Sequence, residues 1–330
     1  MTKSVSLVIP GRNASRTIRQ CLEAVVPLLE ANGLEEIVFV DDGSTDDTAE
    51  IVGEYPVRLI QGLGAGPGAA RNLGWRAAGS ELIWFIDSDC VAEPDALERL
   101  LPHLEDPKVG GVSGSYGNMR PNSLLACLIH EEIIERHESM PTRVNFLATF
   151  NVVYRRAILE QIGGFDERFL KGQDAELSWR ALAAGYELGF ELNSRVKHFH
   201  AARWRSYLRT QKQQGYWRVS LHLAHRGHSA GDSYSSVVDH VQPPLAMLVL
   251  AAVMATLIPQ LRPYNCGVCT GLILLLLAAQ VPMSWRLVRR TGQVRYLAFG
   301  AMSFARAFWR GVGMTLGVLA AVRSRQPSQT

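Results

Sequence analysis

The sequence predicts an α/β fold, a mostly parallel sheet with helices on both faces, followed by a C-terminal membrane hairpin. Three observations predict it. Short apolar runs of strand length alternate with helical spacing through the first hundred residues. Two charge-free stretches of about 20 residues lie beyond residue 242, long enough to cross roughly 30 Å of hydrocarbon. Charge is divided unevenly: all 31 acidic residues lie at or before Asp239, and the tail beyond Val241 carries nine arginines and no lysine. The front therefore holds a net −6 and the tail +9, although the 330 residues together carry only +3. That split excludes a uniformly soluble globule, a disordered chain and a basic nucleic-acid binder with one continuous charged face.

The elements follow in order. Val5–Pro10 reads as a buried strand, and Ser15–Ala31 carries helical spacing through Ile18, Leu22, Val25, Val26 and Leu29. Glu36–Val40 is the next strand, stopping at Asp41 and Asp42, and Ser44 or Thr45 can cap a helix running through Val52. Val57–Ile60 and Leu82–Ile86 are further strands, separated by a helix near Ala69–Ala78. Ligands on such sheets bind beyond the carboxyl ends of the strands. The polar residues at those ends are Pro10–Asn13, Asp41–Asp42 and Asp87–Asp89.

In the tail, Pro243–Leu261 and Cys266–Trp285 read as a membrane hairpin with Arg262 in its turn. Four arginines follow between Arg286 and Arg295, so the positive-inside bias puts both ends and the front domain in the cytoplasm. Nothing at the N-terminus resembles a signal peptide. Within Tyr296–Val322, Arg295, Arg306 and Arg310 share one side of a helical wheel, as in a helix lying in the interface. The expected division is a catalytic domain over 1–220, a linker over 221–242, the hairpin over 243–285 and a basic segment over 286–330. Cys266 and Cys269 form a C-x-x-C with no second pair or nearby histidine, so a zinc site is not expected.

Asp87 and Asp89, one residue apart after a five-residue apolar run, would lie on one side of an extended backbone. Such a pair is costly at a buried strand end without a cation, and a hard divalent ion bridging to a diphosphate satisfies it. In isolation the pair better fits a solvated turn capping a helix at Pro94–Leu104.

Six segments occur together in a fixed order: VSLVIPGRN at 5–13, VFVDDGSTDDT at 38–48, GPGAARNLGWRAAG at 66–79, FIDSDCVAEPDAL at 85–97, TFNVVYRRAILEQIGGFDE at 149–167 and KGQDAELSWRALAAGY at 171–186. Over about residues 4–220 this resembles the inverting family-2 glycosyltransferases of the GT-A fold. The resemblance implies that Pro10 and Arg12 border the nucleotide, that Asp42 bonds the base and that Arg71 lies beside the nucleotide. It implies Asp87 at the ribose or the metal's water shell, Asp89 as metal ligand, and Asn151 near donor sugar and acceptor. Asp174 matches the general base. The family usually has Glu-Asp where this chain has Gln173-Asp174, a departure that removes one negative charge beside the base. A histidine after the strand at Val196 often completes the metal site; His198 and His200 alternate onto one face, and His198 fits the family spacing better.

The cofactor implied is a divalent metal, Mn²⁺ or Mg²⁺, and the partners are a nucleotide-sugar donor, a lipid-linked or envelope glycan acceptor and membrane lipid. Gly163 and Gly164 permit a tight turn, and Glu176 with Arg180 reads as a helix-surface pair. His222, His225 and His228 read as a solvated or headgroup-facing side of a helix. Processive members carry Gln-x-x-Arg-Trp, whereas Gln213–Trp217 has Tyr216 at the arginine position, which favours adding one sugar or a few. Residues 200–218 are expected to form an amphipathic helix. The competing readings are a nucleotidyltransferase, a catalytically dead nucleotide-sugar-binding module and a dinucleotide-binding dehydrogenase. The first lacks its glycine-rich start and lysine after strand one, and the last lacks Gly-x-Gly-x-x-Gly. The second is favoured only by Gln173.

Overall fold

The computed structural model describes residues 4–29, 33–225 and 232–324, in two compact units: Met1–Pro121 with Arg136–His200, and Asn122–Glu135 with Ala201–Thr330. The chain passes between the units after Pro121, Glu135 and His200.

In the first unit the chain runs β1 (Val5–Gly11), α1 (Ile18–Val25), β2 (Leu34–Asp41), α2 (Thr48–Gly53), β3 (Arg58–Gln61), α3 (Pro67–Ala77), β4 (Leu82–Ile86), β5 (Cys90–Ala92), α4 (Ala96–Leu100) and β6 (Val109–Asn118). After α5 (Leu124–Glu138), most of which belongs to the second unit, come β7 (Arg143–Val144), β8 (Asn151–Arg155), α6 (Arg156–Ile162), α7 (Gln173–Ala183) and β9 (Glu187–His198). The sheet order is β3-β2-β1-β4-β8-β6-β9-β5, with β7 beside β9. β3, β2, β1 and β4 are parallel, whereas β8 runs antiparallel to both β4 and β6.

Strand alternation sorts the core. Leu7, Ile9, Trp84 and Ile86 enter one apolar layer with α1 and α4, and Val8, Ile83 and Phe85 enter the other with α3, α6 and α7. Burial on both faces explains why β1, β2 and β4 read as continuous apolar runs.

The second unit continues with α8 (Trp204–Ala224), α9 (Val237–Ala255), α10 (Arg262–Ala278), α11 (Val281–Thr291) and α12 (Ala298–Ser324). Val237–Ala255 and Asn265–Thr291 are long and apolar enough to cross a membrane. The prolines expected to open the hairpin, Pro243 and Pro244, lie inside α9, which starts at a Ser236–Asp239 capping box.

The arginine stripe is corrected. Arg306 is buried and bonds both Glu132 oxygens at 2.6 and 2.9 Å, while Arg310 donates to Gln211 at 2.7 Å. A methyl on Gly313 would fall 2.0 Å from the Lys212 carbonyl, so this side of α12 packs on α8 instead of forming the polar face of an interfacial helix. Residues 204–224 are helical as expected, but Gln211 and Gly215 turn inward. A methyl on Gly215 would meet the Arg310 carbonyl at 2.1 Å, so the glycine before Tyr216 serves close helix packing. His222 lies in α8 and His225 caps its end; His228 and Arg325 lie outside the described residues.

Candidate active site

A cleft of about 650 Å³ opens over the carboxyl ends of β1, β2 and β4, lined among others by Pro10, Arg12, Asp42, Arg71, Asp89 and Asp174. Parallel pairing makes β1, β2 and β4 end together, so their polar successors face one space. Pro10 and the exposed Arg12 form one wall. Asn13 adopts φ 53°, which asparagine tolerates, and ties two loops: its amide donates to Ser44 Oγ at 2.9 Å and its Oδ1 accepts from the Thr45 amide at 2.8 Å. Ser44 and Thr45 therefore brace the wall, and α2 begins only at Thr48. The buried Asp42 carboxylate accepts the Gly66 N–H at 2.8 Å. Gly66 has φ 105°, and a Cβ there would lie 2.7 Å from Leu170 Cδ2, so only glycine fits this loop.

Asp87 and Asp89 are not on an extended strand. They lie in a turn closed by the Cys90 N–H donating to the Asp87 carbonyl at 2.9 Å, and the turn sends the two carboxylates to different partners. Asp87 pairs with Arg71 at 2.6 Å, and Asp89 lies 3.2 Å from His198 Nε2. Arg71 is buried and also donates to Gln173 Oε1 at 3.1 Å. His200 stands behind His198, with Nδ1 atoms 2.9 Å apart, on the side away from Asp89.

Ligand atoms of Asp89, Cys90 and His198 lie within 4.8 Å of one another. A carboxylate and an imidazole converging at a cleft are a donor set that suits a first-row divalent ion, and these residues fit one. Asp87 is not part of that cluster; its Oδ1 is engaged by Arg71. Burial works to raise the Asp89 carboxyl, but the His198 charge and hydrogen bond outweigh it and hold it below the usual range. Burial likewise works to lower His198, and Asp89 outweighs it, raising the imidazole.

Asp174 sits in the first turn of α7, whose N-cap is Gly172, so it is not the cap. Its Oδ1 accepts the Ala175 N–H at 3.0 Å. Burial pushes its carboxyl above the usual range, against the Ala175 amide and Arg71.

Asn151 is corrected. It is fully buried within the sheet, where Oδ1 accepts from Trp84 Nε1 at 2.9 Å and Nδ2 donates to Ser194 Oγ at 3.0 Å, so it braces strands and does not line the cleft. Glu176 and Arg180 also differ from the expected surface pair. Glu176 is buried, and Arg180 additionally grips the Ile162 and Gly164 carbonyls, holding the Gly163–Gly164 turn. The turn itself forms, with φ 81° and 73°.

Three further cationic residues line the cleft, Arg16, Arg120 and Lys171. Arg120 follows β6, donates to the His200 carbonyl at 2.8 Å and stacks 5.5 Å over Phe199; no local pattern announces a contact with residues about 80 positions away. Lys171 adjoins the Gln173-Asp174 segment, which could have pointed to it.

Residues 6–163 match the family described as Glycosyl transferase family 2. Glycosyltransferase AglE of Haloferax volcanii is 30% identical over 194 residues, 56% of this chain and 64% of that protein. The pre-mycofactocin glycosyltransferase of Mycobacterium tuberculosis is 27% identical over 242 residues, 68% of this chain and 48% of its own. The chain thus spans about half to under two thirds of the length of these relatives. The O-antigen chain rhamnosyltransferase WbaN of Salmonella anatum is 24% identical over 72% of this chain and 80% of its own. Among solved structures, a mannosyltransferase from Pyrobaculum calidifontis in complex with GDP-Man and Mn²⁺ superposes with TM-score 0.54 and 19% identity, covering 100% of this chain and 89% of that one, a likeness of fold. Residues 6–163 thus carry a family-2 glycosyltransferase domain, and the fold is of the GT-A type.

Proposed function

We propose that this family-2 glycosyltransferase transfers a sugar, with inversion, from a nucleoside-diphosphate sugar to a hydroxyl of a lipid-linked or envelope glycan acceptor. The observation that carries the reading is the convergence of Asp42, the Arg71–Asp87 pair, the Asp89–His198 pair and Asp174 on one cleft. Asp42 and the β1 end take the nucleotide, and Arg71 and Arg12 face its phosphates. Asp174 holds the proton: as the acceptor oxygen attacks the anomeric carbon, one carboxylate oxygen takes the hydroxyl hydrogen, and the bond from that carbon to the diphosphate breaks on the opposite face. Base assistance of this kind contributes about 10²–10⁴-fold. A carboxyl raised by burial is a stronger base than a solvated one. Asp89 and His198 would hold a divalent ion, Mn²⁺ or Mg²⁺, which would supply Lewis-acid stabilisation of the leaving diphosphate. The two long apolar helices and the arginines between Arg286 and Arg295 support attachment to the cytoplasmic membrane with the cleft-bearing unit in the cytoplasm.

The test is a panel of nucleotide sugars with detergent-purified protein and Mn²⁺, scored for release of nucleoside diphosphate. Turnover of at least one donor, with the product of opposite anomeric configuration, is expected. Retained configuration, or no turnover of any donor, overturns the reading.

A further inference from the structure

Arg71 is a closely confined charge in the cleft. It belongs to α3, is 5% exposed, and is held on three sides: Asp87 Oδ1 at 2.6 Å, Gln173 Oε1 at 3.1 Å, and the Phe165 ring 5.6 Å beneath the guanidinium carbon. Its Nε meets no acceptor among the described residues.

Gln173 is as confined, at 4% exposed. Its Nε2 donates to the Phe169 carbonyl at 2.7 Å. Turning the amide over would set an NH₂ against the arginine and an oxygen against a carbonyl, so both bonds together fix the oxygen toward Arg71. A methyl on Gly68 would lie 3.4–3.6 Å from the carboxamide, which is therefore packed against the start of α3. We propose that Gln173 is a positioning residue: its carboxamide clamps the Arg71 guanidinium between Asp87 and the donor diphosphate while adding no charge of its own. This rests on the reading of the cleft as the donor site.

The consequence is a matter of charge count. Arg71 with Asp87 sums to zero, so a glutamate at 173 would leave the trio at −1 beside an incoming diphosphate. It would also add a third carboxylate near Asp174. The charged and titratable groups bearing on Asp174 are Arg71 from α3, Asp87 from the turn after β4 and the Tyr154 phenol from β8, with Asp89, Arg120 and Lys171 on the same cleft. The amide lets the arginine's charge reach the diphosphate and spares Asp174 a further rise.

The experiment uses the full chain in detergent with Gln173→Glu and Gln173→Met. Calorimetry with UDP and with GDP, each with Mn²⁺, reads binding, and the pH profile of kcat/KM reads Asp174. Gln173→Glu, which keeps size and an acceptor for Arg71, is expected to weaken nucleoside diphosphate binding about tenfold and to move the acidic limb up by about one unit. Gln173→Met is expected to weaken binding and leave the limb in place. Wild-type affinity together with an unmoved limb in Gln173→Glu overturns the proposal. If Gln173→Met does not fold, Gln173→Glu decides by itself. A wild-type protein that binds the diphosphates without turning over any donor overturns the catalytic reading and leaves the binding arm of this test intact.

Discussion

The helical unit and the cleft both bury opposite charges, and they do it differently. In the helical unit, Arg306 donates to both oxygens of Glu132 and to Ser303 Oγ, with both side chains 7% exposed, so each charge is fully answered by protein. In the cleft, Arg71 answers Asp87 but only partly offsets the burial of Asp174, and Asp89 is answered mainly by His198, with Arg120 at longer range. A closed ion pair fixes how helices pack. An incompletely answered cluster is poised for a ligand, which supplies the missing charge on arrival.

The strongest way to break this comparison is Asp174→Asn. Turnover should fall about 10²–10⁴-fold with nucleotide affinity retained, measured by initial rates and calorimetry; unchanged turnover removes the base. Stability should move the other way. Because folding raises this carboxyl's pKa, its ionised form costs stability at neutral pH, and the cost is absent below the unfolded carboxylate range. The asparagine variant should therefore melt higher at neutral pH, with the gain vanishing in acid. Wild-type kcat/KM should likewise fall as pH drops through a limb above the ordinary aspartate range.

Glu132→Gln tests the closed pair. It should destabilise the helical unit by about 3–5 kcal/mol, read by thermal unfolding in detergent, whereas Glu132→Met with Arg306→Met should recover much of the loss. A double variant no better than the single one would mean the charges do more than hold one another. Asp89→Ala is next: Mn²⁺-dependent nucleotide binding should fall about 10–100-fold, and equal calorimetric affinity would move the metal elsewhere. The smallest effect is expected from Asn151→Ala, about 1–3 kcal/mol from a stranded Trp84 Nε1, with the donor KM unaltered. A changed KM at wild-type stability would return Asn151 to the donor site.

Legibility followed the physics of each segment. β1, β2 and β4 are apolar on both faces, so they stand out as runs, and their polar ends marked the cleft. β6 (VGGVSGSYGN) has too few large side chains to show any period, because its glycines admit close neighbours: a methyl on Gly114 would lie 2.3 Å from Asn151 Nδ2 and the Ser194 carbonyl. Asn151 itself sits in a family segment, and nothing in that segment says whether its amide faces the cleft or the sheet. The arginines of α12 share a wheel face whether that face meets headgroups or Glu132, and only the packing of α5 and α8 tells which.

The alternation of strands and helices from β1 to β4, the acids at their ends, the two membrane-length helices and the excess of arginine after them were fixed by sequence alone, since each depends on neighbours close in the chain. The partition of Asp87 to Arg71 and of Asp89 to His198, the clamp of Gln173 on Arg71 and the inward turn of Arg306 depended on tertiary structure. These contacts join positions as much as 174 residues apart. Burial and the shared low-dielectric space, which no local window contains, decide which charges meet.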